Sequence, residues 1–352
     1  LLLAYFSFWR VPVQGGVLFF KDINPILSMW MPYDSGWYIE IAQRGYSFTE
    51  QASAFFPAWP IIIKILASLL PFIEIRLLAF VFVQFICLAA LLAFYKLVKD
   101  QFEQETAYLS VKYLLFFPTA LFLGTTYTES LFLLLIFLSV IFARNRNYLA
   151  MFLVSVFVGL TRLSGSVTVI LLVLIIYANE FKTRSSWWKT VFALGPLVGL
   201  GIYCLYLKLY SGDYLAFLHA QQAWNRSFGF EGFIQLFTEL RNLLAFPFSG
   251  FSDVTSSMVG GSLLISGIVV LIIASKKLKA DLVFYALAAI IFPLFSGSFI
   301  SYNRYFLAAF PVFIALGIFA NKNKNLDTLI TVLFLLFQGL FIAMFTRGYW
   351  VA

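Results

Sequence analysis

Charged residues are scarce in this chain. Only 11% of its 352 residues are Asp, Glu, Lys or Arg, whereas 62% are hydrophobic. A soluble domain carries about a quarter charged residues, so most of this surface is expected to face hydrocarbon. The chain also holds only one histidine, His219, and two cysteines, Cys87 and Cys204, which lie inside apolar runs. We therefore expect neither a disulfide nor a bound metal, and no cofactor.

The signatures of several enzyme classes are missing from the sequence as well. It contains no Gly-rich phosphate loop followed by Lys and Ser or Thr, no Gly-x-Ser-x-Gly and no pair of histidines. No segment is suited to a soluble α/β domain for a nucleotide sugar. The net charge is +8, but the basic residues stand between apolar runs rather than in a stripe with exposed aromatic residues. Nucleic acid is therefore not an expected partner, and membrane lipids are.

Long apolar runs predict an all-α polytopic membrane protein. A crossing helix needs about 20 residues, and residues 1–9 are too few, so we expect them to be the outer end of a first span. With that span the prediction is a bundle of about 11 transmembrane helices. We see no linker and no repeat, so residues 1–352 are treated as a single membrane domain. The further spans are expected near 75–98, 105–122, 127–144, 147–163, 164–180, 187–210, 257–275, 279–298, 303–320 and 325–346.

Basic residues predict how these spans are oriented, because positively charged short loops stay in the cytoplasm. All the basic connections fall on one side only if the apolar stretch 57–71, which is short and holds Lys64, does not cross. We therefore predict that it is an interfacial or re-entrant helix. The long loops at about 20–56 and 211–256 are then external. The five short connections hold twelve of the 24 basic residues: Lys96/Lys99, Arg144/Arg146, Lys182/Arg184/Lys189, Lys276/Lys277/Lys279 and Lys322/Lys324.

The first external loop carries the most informative polar residue, Asp34. An Asp before a ten-residue segment and Gly45 after it predict a short helix. Trp37, Ile41 and Arg44 would share one face of that helix, which suits a helix lying flat on the membrane surface. Asp34 is then either the N-cap of this helix or a carboxylate held at the bilayer edge to act as a base.

Two further groups have both structural and functional interpretations. Glu129 opens an apolar run, so it is either a carboxylate favoured by the helix amino terminus or a substrate-binding group. His219 lies in a predicted amphipathic helix, which favours a surface or packing role over catalysis. Asp22 is a weaker candidate for the base, because Asn24-Pro25 beside it indicates a turn.

Three arginines are candidates for binding phosphate. A guanidinium holds phosphate through paired donors. Arg226 lies in the second long loop, and Arg304 lies in the polar stretch 301–305 at the start of a span. Arg162 ends an apolar run, where it either snorkels to the interface or serves a functional site.

A more specific pattern runs from about residue 30 to 230, and it resembles the PIG-V family of polytopic mannosyltransferases with the GT-C architecture. Tyr33 stands where the family usually has Trp. The first loop is the most specific part of the resemblance. The matching residues are Asp34, Trp37, Tyr38, Ile41-Ala42, Gly45-Tyr46 and Phe55-Phe56-Pro57-Ala58-Trp59-Pro60, then Phe117-Pro118-Thr119-Ala120, Tyr127-Thr128-Glu129-Ser130, Thr161-Arg162, Gly212-Asp213, Phe217, Gln221 and Trp224-Asn225-Arg226.

The resemblance implies a GT-C-like bundle whose catalytic carboxylate lies in the first external loop, which would be Asp34. It implies an inverting mannosyl- or related hexosyltransferase with a polyprenyl- or dolichyl-phosphate sugar as donor and a lipid-linked or glycan acceptor. Arg226, Arg304 and Arg162 would meet the phosphate. The residues expected to bind the sugar or the acceptor are Trp37, Tyr38, Arg44, Tyr127, Glu129, Asp213, His219 and Trp224.

Two other functions remain open at this point. A polytopic transporter or lipid flippase would predict an inverted repeat and broken helices near the bilayer midplane. A membrane scaffold would explain the hydrophobicity of the chain but not its charged first loop. For the transferase, the expected location is a plasma membrane or the endoplasmic reticulum membrane, with the site on the external or lumenal side.

Overall fold

The computed structural model describes residues 25–180, 187–224, 226–229 and 251–351, together with positions 234, 237 and 241. These described residues form helices and no strand, which confirms the predicted all-α class. The predicted first span at residues 1–9, Asp22, Lys182/Arg184 and much of the second long loop lie outside the described residues.

Helices cover each of the ten apolar segments predicted from residue 75 onwards. Several of them begin or end in a short 3-10 turn, as at Ala120–Leu123, Leu163–Val167, Trp187–Leu194 and Phe292–Ser296. The α-helices are Pro25–Ser28, Asp34–Arg44, Ala58–Leu69, Ile75–Lys99, Gln104–Phe116, Glu129–Arg144, Tyr148–Thr161, Thr168–Glu180, Gly195–Ser211, Ala216–His219, Phe251–Ala274, Ala280–Ile291, Tyr302–Tyr305, Pro311–Ala320 and Lys324–Phe345.

The predicted number of crossings is not confirmed. By length and composition, four described helices could cross a membrane: Ile75–Lys99, Leu163–Glu180, Trp188–Ser211 and Lys324–Phe345. A fifth crossing is possible if Tyr302–Ala308 and Pro311–Ala320, which are bent by 75°, form one span. The helices Tyr148–Thr161 and Ala280–Ser296 are apolar but shorter than the length that a bilayer requires.

The stretch predicted to be interfacial or re-entrant is a short helix. Ala58–Leu69 has 12 residues, which makes it about 18 Å long against a hydrocarbon core of about 30 Å. Trp59 and Ile63 are buried, whereas Ile61 and Ile65 are exposed. A helix of this length cannot cross by itself, and its position at the interface stays a prediction.

The helix predicted in the first loop is present, with two differences. It spans Asp34–Arg44 and is closed by Gly45 at φ 72°, but Asp34 is its first helical residue rather than its N-cap. The carboxylate of Asp34 pairs with a distant arginine instead of capping the helix. Ile39 and Ile41 are buried, so the helix packs inside the protein and does not lie flat on its surface.

Glycines allow the helices Tyr148–Thr161 and Gly195–Ser211 to approach each other closely. A Cβ atom added to Gly159 would lie 1.9 Å from the carbonyl oxygen of Pro196, and one added to Gly199 would lie 2.0 Å from that of Val156. Such spacing is possible only between backbones in direct contact, as is common where small residues line helix interfaces in membranes. The contact fixes the end of Tyr148–Thr161, after which the chain enters the site at Arg162.

This contact predicts that Gly199→Ala destabilises the protein by about 1–3 kcal/mol, because the added methyl group forces the two backbones apart. Gly201→Ala, two residues along the same helix, is the matched control, since nothing lies within 4 Å of its added Cβ atom. The measurement is thermal unfolding of both variants in detergent. Equal stability of the two variants would contradict the close approach.

Candidate active site

Asp34 forms an ion pair that joins the first loop to the far end of the chain. Its Oδ2 accepts a hydrogen bond from Arg304 Nη1 at 2.5 Å. Within the described residues its other oxygen, Oδ1, has no partner, and the side chain is 18% exposed. The amide of Asp34 donates to Tyr127 Oη at 3.3 Å, and that hydroxyl donates to Pro32 O at 3.0 Å. Tyr127 therefore holds the start of the helix that presents the carboxylate.

Glu129 holds two arginines behind Asp34. Its Oε1 pairs closely with Arg162 Nη2 and lies 3.1 Å from Arg304 Nε, while the residue is only 2% exposed. Arg162 Nε also donates to Thr128 Oγ1 at 2.9 Å. Glu129 is the first residue of its helix, where the helix dipole favours a negative charge. The carboxylates of Asp34 and Glu129 therefore balance the charges of Arg162 and Arg304.

Arg226 is bound differently. Its guanidinium donates to three neutral oxygens: Tyr305 Oη at 3.2 Å, Ile300 O at 2.9 Å and Ser301 Oγ at 3.0 Å. In the part of the chain that the structure describes, it has no carboxylate partner, and its buried Nε has no acceptor. No described carboxylate therefore compensates its positive charge.

These groups surround one cavity of about 610 Å³, a size that suits a small-molecule ligand. Asp34, Arg162, Arg226 and Arg304 all line it. The cavity also has two apolar walls. One is aromatic, with Trp37 stacked on Phe55 at 5.1 Å between ring centroids and the edge of Trp224 against both rings. The other consists of Phe228, Phe292, Pro293 and Ile300.

Tyr38 lies on the loop helix beside this cavity. Burial and the nearby Asp34 carboxylate raise the pKa of its phenol, so the group stays protonated at neutral pH. Its Oη lies 3.5 Å from Thr128 Oγ1, which connects the loop helix to the turn before Glu129. Tyr38 is therefore a neutral hydrogen-bonding group on the wall that carries Asp34.

The structure brings most of the predicted site residues together. Seven of them line the cavity: Asp34, Trp37, Tyr38, Arg162, Trp224, Arg226 and Arg304. Tyr127 and Glu129 do not line it, but they contact Asp34 and Arg304, respectively. Three predicted residues are elsewhere. Arg44 pairs with Glu40 at the surface, and Asp213 Oδ2 lies 2.6 Å from His219 Nδ1 in an exposed pair.

Sequence reasoning gave no site role to the cavity residues Tyr33, Tyr305 and Trp350. Trp350 packs edgewise on Tyr33 at 4.7 Å between ring centroids, and its ring centroid lies 5.7 Å from the guanidinium carbon of Arg304. Tyr33 Oη also donates to Gly348 O. The contacts of Tyr33 with Gly348 and Trp350 join residues more than 300 positions apart. Only the positions of Tyr33 next to Asp34 and of Tyr305 next to Arg304 could have drawn attention to these residues.

The described residues contain no group of three or more His, Cys, Asp or Glu side chains that could hold a metal ion. The two carboxylates of the site, Asp34 and Glu129, instead face guanidinium groups. Positive charge at this cavity is supplied by arginine.

Comparison with known proteins agrees with the resemblance read from the sequence. Residues 19–184 match the family model described as Mannosyltransferase (PIG-V). No curated protein matches the chain. The matched range includes Asp34, Glu129 and Arg162, whereas Arg226 and Arg304 lie beyond it. Together with the apolar helices, this match supports a PIG-V-like family assignment and a membrane protein.

Proposed function

We propose that this protein is an inverting mannosyltransferase that takes its sugar from a polyprenyl- or dolichyl-phosphate carrier. The acceptor is a hydroxyl group of a lipid-linked sugar or a glycan. One observation carries the proposal. Within the described residues, a single cavity contains a carboxylate with an open oxygen, on Asp34, and a guanidinium without a carboxylate partner, on Arg226. These are the base and the phosphate-binding group that such a transfer requires.

The proposed reaction is a single displacement. The acceptor oxygen attacks the anomeric carbon, and Asp34 Oδ1 takes the proton of that hydroxyl as general base. The bond between the anomeric carbon and the phosphate oxygen breaks, and its electron pair leaves with the phosphate. Phosphate is a stable leaving group, so no second carboxylic acid is needed, unlike in glycoside hydrolysis.

Asp34 is a better base than Glu129 on the geometry of the site. Glu129 lies behind the cavity wall, and its Oε1 contacts two arginines. Asp34 lines the cavity, and described residues bind only one of its oxygens. Arg304 holds that oxygen and so leaves Oδ1 to face a substrate.

Arg226 is the first choice for the phosphate among the three arginines. Arg162 and Arg304 are already paired with carboxylates, whereas among the described residues Arg226 contacts only neutral oxygens. Electrostatic stabilisation is most effective where preorganised positive groups meet charge that develops in the transition state. Arg226 supplies such a charge at the cavity wall.

The walls of the cavity support a lipid carrier rather than a nucleotide. Phe228, Phe292, Pro293 and Ile300 form an apolar wall beside Arg226, and Phe228 and Ile300 also reach the exposed surface. This wall suits the first isoprenoid units next to the phosphate. The aromatic wall of Trp37, Phe55 and Trp224 suits the sugar and the acceptor, because large flat rings bury area with little loss of conformational entropy.

A transporter is the second candidate, and one observation favours it. Arg304 lies on the broken pair Tyr302–Ala308 and Pro311–Ala320, and broken helices are typical of substrate sites in secondary transporters. The transferase explains more of the site, because a transporter does not need an open carboxylate oxygen beside a phosphate-binding arginine. Activity assays with Asp34 variants separate the two functions.

Replacement of the base should abolish most of the transfer. Asp34→Asn keeps the side chain's size but removes the basic oxygen, so mannosyl transfer from a polyprenyl-phosphate mannose should fall by about 10²–10⁴-fold. The measurement is product formation at equal amounts of folded protein. Glu40→Gln is the matched control, because it lies on the same helix but pairs with Arg44 outside the cavity. Near-normal transfer by Asp34→Asn would exclude Asp34 as the base.

Replacement of the phosphate-binding arginine should weaken use of the donor. Arg226→Lys keeps the charge but loses the fork of donors that reaches three oxygens, so we expect the donor KM to rise by about tenfold. Arg44→Lys makes the same change at an exposed position and should leave the donor KM unchanged. A normal donor KM for Arg226→Lys would argue that the phosphate binds elsewhere.

Orientation can be measured by cysteine labelling in intact cells. The basic connections predict that Ser47 in the first loop is external and that Asn145 is cytoplasmic. Both residues are exposed, so a cysteine at either position is accessible in a chain that lacks Cys87 and Cys204. A membrane-impermeant maleimide should label position 47 directly and position 145 only after permeabilisation. The opposite pattern would reverse the proposed side of the active site.

A further inference from the structure

We propose that Tyr305 is a second phosphate-binding residue of this cavity. Its phenolic hydroxyl would donate a hydrogen bond to an oxygen of the donor phosphate that is not bonded to carbon. This inference rests on the proposed lipid-phosphate donor and extends it to a residue that neither the sequence pattern nor the family match singles out. Tyr305 lies beyond the matched range of residues 19–184.

Three guanidinium groups surround the Tyr305 side chain. Arg226 Nη1 donates to its hydroxyl at 3.2 Å. The guanidinium carbons of Arg304 and Arg162 lie 5.4 and 5.6 Å from the centroid of its ring. The residue lines the cavity together with all three arginines. Tyr305 is therefore the side chain that connects the carboxylate-paired arginines to Arg226.

The hydroxyl of Tyr305 still has a proton to donate. A phenol has one donor and can also accept, and the contact with Arg226 uses it as an acceptor. Within the described residues, no protein oxygen accepts its proton. Tyr302 provides a contrast on the same short helix, because its hydroxyl donates to Ile290 O at 3.0 Å and the residue does not line the cavity.

An anion is the acceptor that fits this position. Three guanidinium groups create a positive potential at the ring and at its hydroxyl, whereas Asp34 and Glu129 are engaged with Arg304 and Arg162. Arg226 Nε, which also lacks an acceptor in the described residues, is a further donor on the same side chain. A phosphate offers several acceptor oxygens to such a set, whereas a sugar hydroxyl offers one and carries no charge.

The proposed hydrogen bond gains strength during the reaction. As the bond from the anomeric carbon to the phosphate breaks, negative charge grows on the phosphate oxygens. Tyr305 keeps its own proton throughout and stabilises that charge, while the acceptor's proton passes to Asp34. An interaction that is stronger in the transition state than in the ground state raises the rate of the chemical step.

The test deletes the hydroxyl while keeping the ring. Tyr305→Phe retains the contacts of the ring with Arg162 and Arg304, and Tyr302→Phe makes the same change three residues earlier. Both variants are assayed for transfer from a polyprenyl-phosphate mannose, and for inhibition by a polyprenyl phosphate compared with the polyprenol of equal chain length. Thermal unfolding confirms that both variants are folded.

We expect Tyr305→Phe to lower transfer by about 10–100-fold, as for the loss of one hydrogen bond to a charged group. The preference for polyprenyl phosphate over polyprenol should fall as well, which a purely structural role would not produce. Tyr302→Phe should keep the preference of the unaltered protein. If Tyr305→Phe keeps it too, the proposal is overturned.

A second measurement separates direct binding from an action through Arg226. Binding of polyprenyl phosphate is followed by the rise in unfolding temperature, which does not require activity. Adding Tyr305→Phe to Arg226→Ala should weaken binding by about a further fivefold, because the hydroxyl contacts phosphate itself. No further weakening would mean that Tyr305 only orients Arg226, and would overturn the direct hydrogen bond.

The proposed donor and the proposed role of Tyr305 can be rejected separately. If the unaltered protein makes no product from polyprenyl-phosphate mannose and gains no stability from polyprenyl phosphate, the proposed donor is wrong. If the unaltered protein does both and Tyr305→Phe behaves like Tyr302→Phe, the donor stands and only the role of Tyr305 is rejected.

Discussion

The site depends on a buried carboxylate that faces two arginines. Glu129 is almost completely buried, and its Oε1 contacts both Arg162 and Arg304. A buried charge without a partner costs several kcal/mol, so these three groups stabilise one another or fail together. Through them the start of Glu129–Arg144, the end of Tyr148–Thr161 and the polar stretch at 301–305 meet at one point. Arg304 then extends this network to Asp34.

The position of Asp34 also depends on a strained residue before it. Tyr33 has φ 56°, a conformation that residues other than glycine rarely adopt. Its side chain is held by Gly348 and by the ring of Trp350, which also lies near Arg304. The last described residues therefore hold the backbone at the point where the loop turns into its helix. The carboxylate faces Arg304 because both ends of this contact are fixed.

Local residue patterns predicted several of the helices, whereas the candidate site is formed by contacts between residues far apart in the chain. Gly45 marked the end of the loop helix and Glu129 the start of another, because helix ends have their own residue preferences. The pair of Asp34 with Arg304 spans 270 residues, and no local pattern predicts it. The same limit explains why Tyr305 and Trp350 were missed. Arg44, Asp213 and His219 were expected to bind the sugar or the acceptor, but here they form exposed pairs outside the cavity.

The proposed reaction leaves the charge of the site balanced at each stage. Among the described residues, Asp34 and Glu129 offset Arg162 and Arg304 before transfer, so Arg226 leaves a net charge of about +1 opposite the single negative charge of a phosphodiester. When Asp34 takes the acceptor's proton, the protein side rises to about +2, while the departing phosphate monoester approaches −2. In the proposed reaction, the proton on Asp34 also frees part of the charge of Arg304, whose Nη1 donates to Asp34 Oδ2 at 2.5 Å, for the phosphate. Base and leaving group are thus coupled through one guanidinium, which explains why a salt-bridged carboxylate can serve as the base.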